Sequence, residues 1–401
     1  MIDHPFDSTD ETSLRARRSA KWAVYGPAVL PAWVAEMDYP LAEPIRRAVH
    51  DAIDRGDAGY ASPGDFPAVF AVWAQRRWGW TVAPGRVVVL PDVVTGIAEI
   101  LRVATAPGDG VVIEPPVYPP FAGTVRALGR TVVNAPLARG AAGWAPDLDA
   151  IERAYSTGAK VHLLCSPQNP TGIVYPREAL ARIAEMAERH RVLVVADEIH
   201  APLTLPGAVH AAFPTVSAAA ARCAIVATSA SKAWNIAGLK AAALVATEAD
   251  DRPDSPAGVL ARLPPETPYH AGHLGVLASI AALREGEAWL DQTLAILDRN
   301  RRLLADLLQA ELPGVAYVPP RASYLAWLDC RALGLGDDPM RAFLEDGGVA
   351  LSSGPAFGDE GRGFARLNLA TTRGLLEEGV RRMAAAVRVH SKEGGPAGPS
   401  R

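Results

Sequence analysis

Short apolar runs alternate along this chain with segments of helical period, and that alternation restricts its fold more than any other feature. Arg86-Val87-Val88-Val89-Leu90, Gly110-Val111-Val112-Ile113-Glu114, Thr131-Val132-Val133-Asn134, Val161-His162-Leu163-Leu164-Cys165 and Val192-Leu193-Val194-Val195-Ala196, the last terminated by the acids Asp197 and Glu198, read as strands of a buried sheet. Between them, Val94, Ile97, Ile100, Leu101 and Ala104 recur at helical spacing from about Val93, and Thr124 to Leu128, Leu148 to Tyr155 and Arg177 to His190 predict further helices. Two more apolar runs, Ala224-Ile225-Val226-Ala227 and Ala241-Ala242-Ala243-Leu244-Val245, follow. Strands separated by helices imply βαβ units with right-handed crossovers, hence a mostly parallel sheet whose ligands collect at the carboxyl ends of its strands.

Around this centre the pattern changes. Ile45, Ala48, Val49 and Ile53 predict a helix ending near Gly56, and Phe66 to Trp80 another, with Phe70, Trp73 and Trp78 as core. A leucine stripe through Leu290, Leu294, Leu297, Leu304 and Leu308 predicts one long amphipathic helix over residues 286–310. After it come a strand at Tyr324 to Leu328, a helix at Met340 to Glu345, the run Val349 to Gly354, and an alternating strand at Gly363 to Ala370. At 401 residues the chain exceeds the size of one core. The expected division is a large domain over 51–284, a smaller α/β domain from 285–390 joined by the N-terminal 1–50, and a disordered Gly/Pro/Ser-rich tail at 391–401.

Composition excludes several classes of protein. A net charge of -4 gives no electrostatic case for nucleic acid. No apolar run reaches the roughly 18 residues of a membrane span, and Met1 to Asp7 lacks the basic and apolar regions of a secretory leader, so a cytoplasmic protein is expected. Cys165, Cys223 and Cys330 stand far apart and predict reduced structural thiols; no histidine or cysteine spacing predicts a catalytic metal.

Chemistry-bearing residues cluster where the strands end. Ser229-Ala230-Ser231-Lys232 follows an apolar run, and an amine flanked by hydroxyls can form an imine with the aldehyde of a phosphate-bearing cofactor, with Lys240 as a second cation. Val94-Thr95 opens a helix, where free amides and the helix dipole favour phosphate. Asp197 ends a buried strand, where a carboxylate needs a cationic partner. Asn169, in Asn169-Pro170-Thr171-Gly172, follows another strand as a hydrogen-bond donor, although Asn-Pro is also an ordinary turn. Prolines on both sides restrict Tyr118, which either stacks on a flat ring or caps the core. Tyr60 stands in a turn-rich loop, as an anion donor or a half-buried tyrosine. Arg366 and Asn368 share one strand face; the guanidinium either clamps a carboxylate or lies on the surface.

Taken together, Tyr60, Thr95, Tyr118, Asn169, Asp197, Ser229, Lys232 and Arg366 stand in an order that resembles the fold-type I pyridoxal 5'-phosphate enzymes of the class I/II aminotransferase superfamily. Trp33-Val34-Ala35-Glu36-Met37-Asp38-Tyr39, Pro115 to Phe121, Asp197-Glu198-Ile199-His200 and Ser231 to Leu239 are most similar to its cystathionine β-lyase branch, the MalY/PatB-type carbon–sulfur lyases. The resemblance implies a seven-stranded central sheet, a homodimer with shared sites, and pyridoxal 5'-phosphate held on Lys232. It implies that Asp197 pairs with the pyridine nitrogen, Tyr118 stacks on the ring, Asn169 bonds the phenolic oxygen and His200 lies nearby. Val94, Thr95, Ser229 and Ser231 would hold the phosphate with Lys240, and Tyr60 would come from the neighbouring subunit. Arg366 would take the substrate carboxylate, with Asp38 and Tyr39 beside it. The sequence departs from that family at Glu36, usually aspartate, at Lys240, often arginine, and at Ala370-Thr371-Thr372-Arg373.

Lyase chemistry, transamination and decarboxylation or oxidative deamination of an S-conjugated amino acid would use the same residues. A purely regulatory role is the reading from another class, but no basic helix-turn-helix extension supports it, and retention of both Lys232 and Asp197 favours catalysis.

Overall fold

The computed structural model describes residues 5–140, 143–248, 250 and 252–393. Seven strands form the central sheet, in the order Val87–Leu90, Ala242–Ala246, Ala224–Thr228, Leu193–Asp197, Val161–Cys165, Gly110–Ile113 and Thr131–Asn134. Six run one way; Ala242–Ala246 runs against both neighbours. The inner strands are apolar without alternation because each face is covered. Along Leu193–Asp197, Val194 and Ala196 enter one apolar layer and Val195 the other. Asp197 and the residues just past the other strands therefore emerge together at one edge.

A second sheet, Ala316–Tyr317, Leu325–Asp329, Phe364–Asn368 and Ser352–Ser353 in that order, is antiparallel throughout. The long helix Glu287–Glu311 packs on the C-terminal helix Arg373–Glu393 beside it. That C-terminal helix reaches into the stretch expected to be a disordered tail; the remainder, 394–401, lies outside the described residues. The N-terminal chain joins this layer, since Leu30–Pro31 pairs in parallel with Val349–Ala350. From there residues 32–37 run as a strap across the carboxyl edge of the large sheet.

Several elements differ from the sequence expectation. The helix expected from Thr124 spans Pro120–Ala127: Pro119 and Pro120 initiate it, since a fixed φ suits a first turn that needs no N–H donor. A helix at His273–Glu285, unmarked by any polar face, is packed between Glu43–Asp54 and Phe66–Trp78. A short hairpin, exposed along its first strand and half-buried along its second, pairs Ala138–Gly140 with Gly143–Ala145.

Candidate active site

Strand ends, strap and second sheet enclose a cavity of about 500 Å3. Its floor carries Asp197, 3% exposed, whose Oδ1 accepts the Ile199 N–H at 3.1 Å. Burial pushes this carboxyl up to about 7, against the pull of that N–H and of the Lys232 ammonium. Lys232 stands in the short helix Ala230–Ala233, and its Nζ donates to the strap carbonyl of Ala35 at 3.2 Å. Burial, then the nearby Arg366 charge, brings its amine down to about 8.

Arg366 is buried at the opposite wall. Its Nη1 donates to Asn169 Oδ1 at 2.9 Å, and its Nη2 to Trp33 O and Ser352 Oγ, each at 2.9 Å. Among the described residues Nε has no partner, and the guanidinium lies 5.0 Å from the Phe357 ring centroid. Burial lowers it to about 10, and no carboxylate of the described residues pairs with it. The surface alternative for Arg366 is thereby corrected: the strand buries on both faces, and Asn368 instead ties the strap through Val34 O and Glu36 O.

Asn169 follows the interior strand Val161–Cys165, and with Oδ1 engaged by Arg366 its amide NH2 is left to donate. Tyr118 lines the cavity with its phenol raised by burial and by Asp197. His200 is buried, its Nδ1 3.1 Å from Ser323 Oγ, and burial with the Lys232 and Arg366 charges holds it down to about 3.

At one end of the cavity the helix Val93–Ala104 presents its N-terminus, with Val94 and Thr95 in the wall. Asp92 caps it by accepting Thr95 N–H at 2.8 Å and pairs with Lys240 at 3.0 Å. Ser231 faces the same end. The Ser229 hydroxyl is already committed: it donates to Ala241 O at 2.6 Å and accepts Ser231 N–H at 3.0 Å. Its role is to cap the lysine helix, with only residual acceptor capacity left.

Three expected residues are not in the cavity. Tyr60 is 88% exposed. Asp38 is buried behind the strap, bonded to Lys21 Nζ at 2.7 Å and Trp22 Nε1 at 2.8 Å, and Tyr39 stacks on Phe6 with its hydroxyl donating to Thr371 O. The expectation that Asp38 and Tyr39 touch substrate is corrected, because both spend their polar atoms anchoring the strap. Conversely, Ala35, Asp92, Ser352 and Ser323 were missed. Only Asp92 had a sequence signal, an aspartate immediately before a helical run. A second cleft, of about 760 Å3 around Phe364, gathers Arg139, Arg331 and Arg362, all of them paired with aspartates.

A parallel sheet that delivers a lysine, a buried carboxylate and a helix N-terminus to one cavity, faced by an arginine from a second layer, defines a class. The chain belongs to the aminotransferase class I and II family, whose description matches residues 37–383. It is 36% identical to cystathionine beta-lyase PatB of Bacillus subtilis (strain 168), covering 95% of this chain and 99% of that protein. It is 35% identical to a cystathionine beta-lyase of Corynebacterium glutamicum, over 93% and 98%. Among solved structures it is similar to cystalysin from Treponema denticola, which contains pyridoxal 5'-phosphate: TM-score 0.89, 26% identity, 97% of this chain and 100% of that one.

Proposed function

We propose that this protein is a pyridoxal 5'-phosphate-dependent carbon–sulfur lyase that cleaves cysteine S-conjugates of the cystathionine type. With water consumed, the products are a thiol, pyruvate and ammonia. The observation that carries the reading is the meeting of Asp197, Lys232 and Arg366 in one cavity, each enclosed and none held in a salt bridge among the described residues. A cationic ring nitrogen fits the first, an aldehyde the second and a substrate carboxylate the third. Lyase rather than transferase chemistry is supported by the relatives named cystathionine beta-lyase.

When bound, the cofactor supplies an aldehyde and a protonated ring that accepts electron density from the substrate α-carbon. Asp197 would keep that ring nitrogen charged, a pairing that also relieves its own desolvation. The depressed basicity of Lys232 leaves part of its amine neutral near pH 7, able to take a proton from the α-carbon. Tyr118 would cover the ring, the Asn169 amide and His200 would donate to its oxygen, and Val94, Thr95, Ser231 and Lys240 would hold the phosphate, with Ser229 shaping that end. Arg366, buried with its Nε unpartnered among the described residues, would take the substrate carboxylate.

Residues 51–284 form the cofactor domain in this reading, with 1–50 and 285–390 closing over it. A homodimer accounts for Tyr60, which is exposed in the single chain and would complete the neighbour's site. The cytoplasm is the proposed location; among the described residues no helix is long and apolar enough to cross a membrane. Incubating the cofactor-loaded protein with cystathionine should release pyruvate without added keto acid. Strict dependence on a keto acid would replace the lyase by an aminotransferase.

A further inference from the structure

His200 lines the cavity three residues past Asp197, but its ring is oriented from the other layer of the molecule. Ser323 Oγ lies 3.1 Å from its Nδ1. Ser323 is 1% exposed and sits at φ 74°, a left-handed conformation that a serine keeps only when its surroundings enforce it. They do so through the main chain. Ser323 N–H donates to Leu203 O at 2.9 Å, and the N–H groups of Arg321 and Ala322 both donate to Gly172 O, at 2.9 and 3.1 Å. Tyr324 packs edge-on to the imidazole, centroids 6.2 Å apart, with its hydroxyl on Ala35 O at 3.0 Å.

Burial, with Lys232 and Arg366 as the charged groups facing the ring, opposes a second proton on His200. A neutral imidazole has one N–H, and its position follows from Ser323. The Ser323 hydroxyl has no acceptor other than Nδ1 among the described residues. If Nδ1 carried the hydrogen, the serine proton would be buried with nowhere to go. If the serine donates to Nδ1, its buried proton is satisfied and the ring hydrogen falls on Nε2.

We propose that Ser323 is a positioning residue that fixes His200 as the Nε2–H tautomer, giving the cavity a neutral donor for an anionic oxygen of the bound cofactor. The oxygen rests on the pyridoxal 5'-phosphate reading above; the tautomer does not. Asn169 is arranged alike, its Oδ1 held by Arg366 so that its NH2 donates. Two neutral donors settle an anion without adding charge to a cavity that already holds Lys232 and Arg366. Because Ser323 belongs to the turn entering the second sheet, the donor is set only when that layer is docked.

The test is nitrogen NMR of the histidine-labelled protein, cofactor-free and loaded, with the visible absorbance of the loaded form titrated against pH. Wild type should show His200 Nε2 protonated and Nδ1 as acceptor. In Ser323→Ala the two nitrogens should shift toward a tautomer mixture. The pH midpoint of the visible band should rise by about 0.5–1 unit, since an anionic oxygen deprived of a donor becomes more basic. Ser323→Gly separates hydroxyl from backbone: it relieves the left-handed strain, yet should behave like the alanine variant. A glycine variant matching wild type, or a wild-type His200 protonated on Nδ1, overturns the proposal. If the protein takes up no cofactor, the function proposed above falls, while the nitrogen shifts of the cofactor-free protein still decide the tautomer.

Discussion

Asp38 and Asp197 are both buried, 1% and 3% exposed, and the molecule treats them in opposite ways. Behind the strap, Asp38 meets Lys21 and Trp22, and the Lys21 ammonium also donates to Glu36 O at 3.3 Å. On the cavity floor, Asp197 has one backbone N–H and the distant help of Lys232. The two lysines differ in the same sense: Lys21 is consumed, whereas Lys232 is parked on a single carbonyl. A buried charge that is fully answered within the chain is architecture. One left half-answered beside a cavity is waiting for a ligand.

The comparison breaks first at Lys232. Replacing it with alanine should cost roughly 10²–10⁴-fold in pyruvate release and remove the borohydride-fixed adduct, whereas a variant keeping either would make Lys232 a bystander. The anchor should respond in stability instead. Lys21→Met or Asp38→Asn alone should lose roughly 3–5 kcal/mol in denaturant unfolding, with the double variant Lys21→Met/Asp38→Leu regaining most of it. If Asp38→Asn left the unfolding midpoint in place and raised KM, the two aspartates would have exchanged roles.

The smallest effect concerns pH. Asp197 ordinarily titrates near 3.8 and in the folded cofactor-free chain near 7. Between those values the folded state keeps a proton that the unfolded state has released, so stability falls as pH rises through the window. Asp197→Asn should flatten that part of the thermal-midpoint profile. An unchanged slope would place the titration elsewhere.

The same contrast explains what was legible in the sequence. The strand runs were readable because a sheet covered on both sides needs apolar residues at every position, and Asp197 stood out because it ends such a run. Asp38 sits in Trp33-Val34-Ala35-Glu36-Met37-Asp38, where nothing local distinguishes an anchored carboxylate from a ligand-binding one; its partners Lys21 and Trp22 are contacts of the folded chain only. The helix His273–Glu285 escaped because it is apolar around most of its circumference, so it has no periodic contrast to detect. The hairpin of Ala138–Gly140 and Gly143–Ala145 escaped for a different reason: its strands are three residues each, the first exposed and the second half-buried at Gly143 and Trp144, too short for an apolar alternation to be read. Ser323 carried no mark, since its value lies in a turn geometry that long-range hydrogen bonds impose.

Arg366 grips three parts of the fold at once: the strap at Trp33, the second sheet at Ser352 and, at Asn169, the loop leaving the large sheet. Redesigning this enzyme to accept a compound without a carboxylate therefore could not begin by deleting that side chain. Removing it would unfasten the lid from the vessel, so new selectivity and a replacement clasp would have to be engineered in one step.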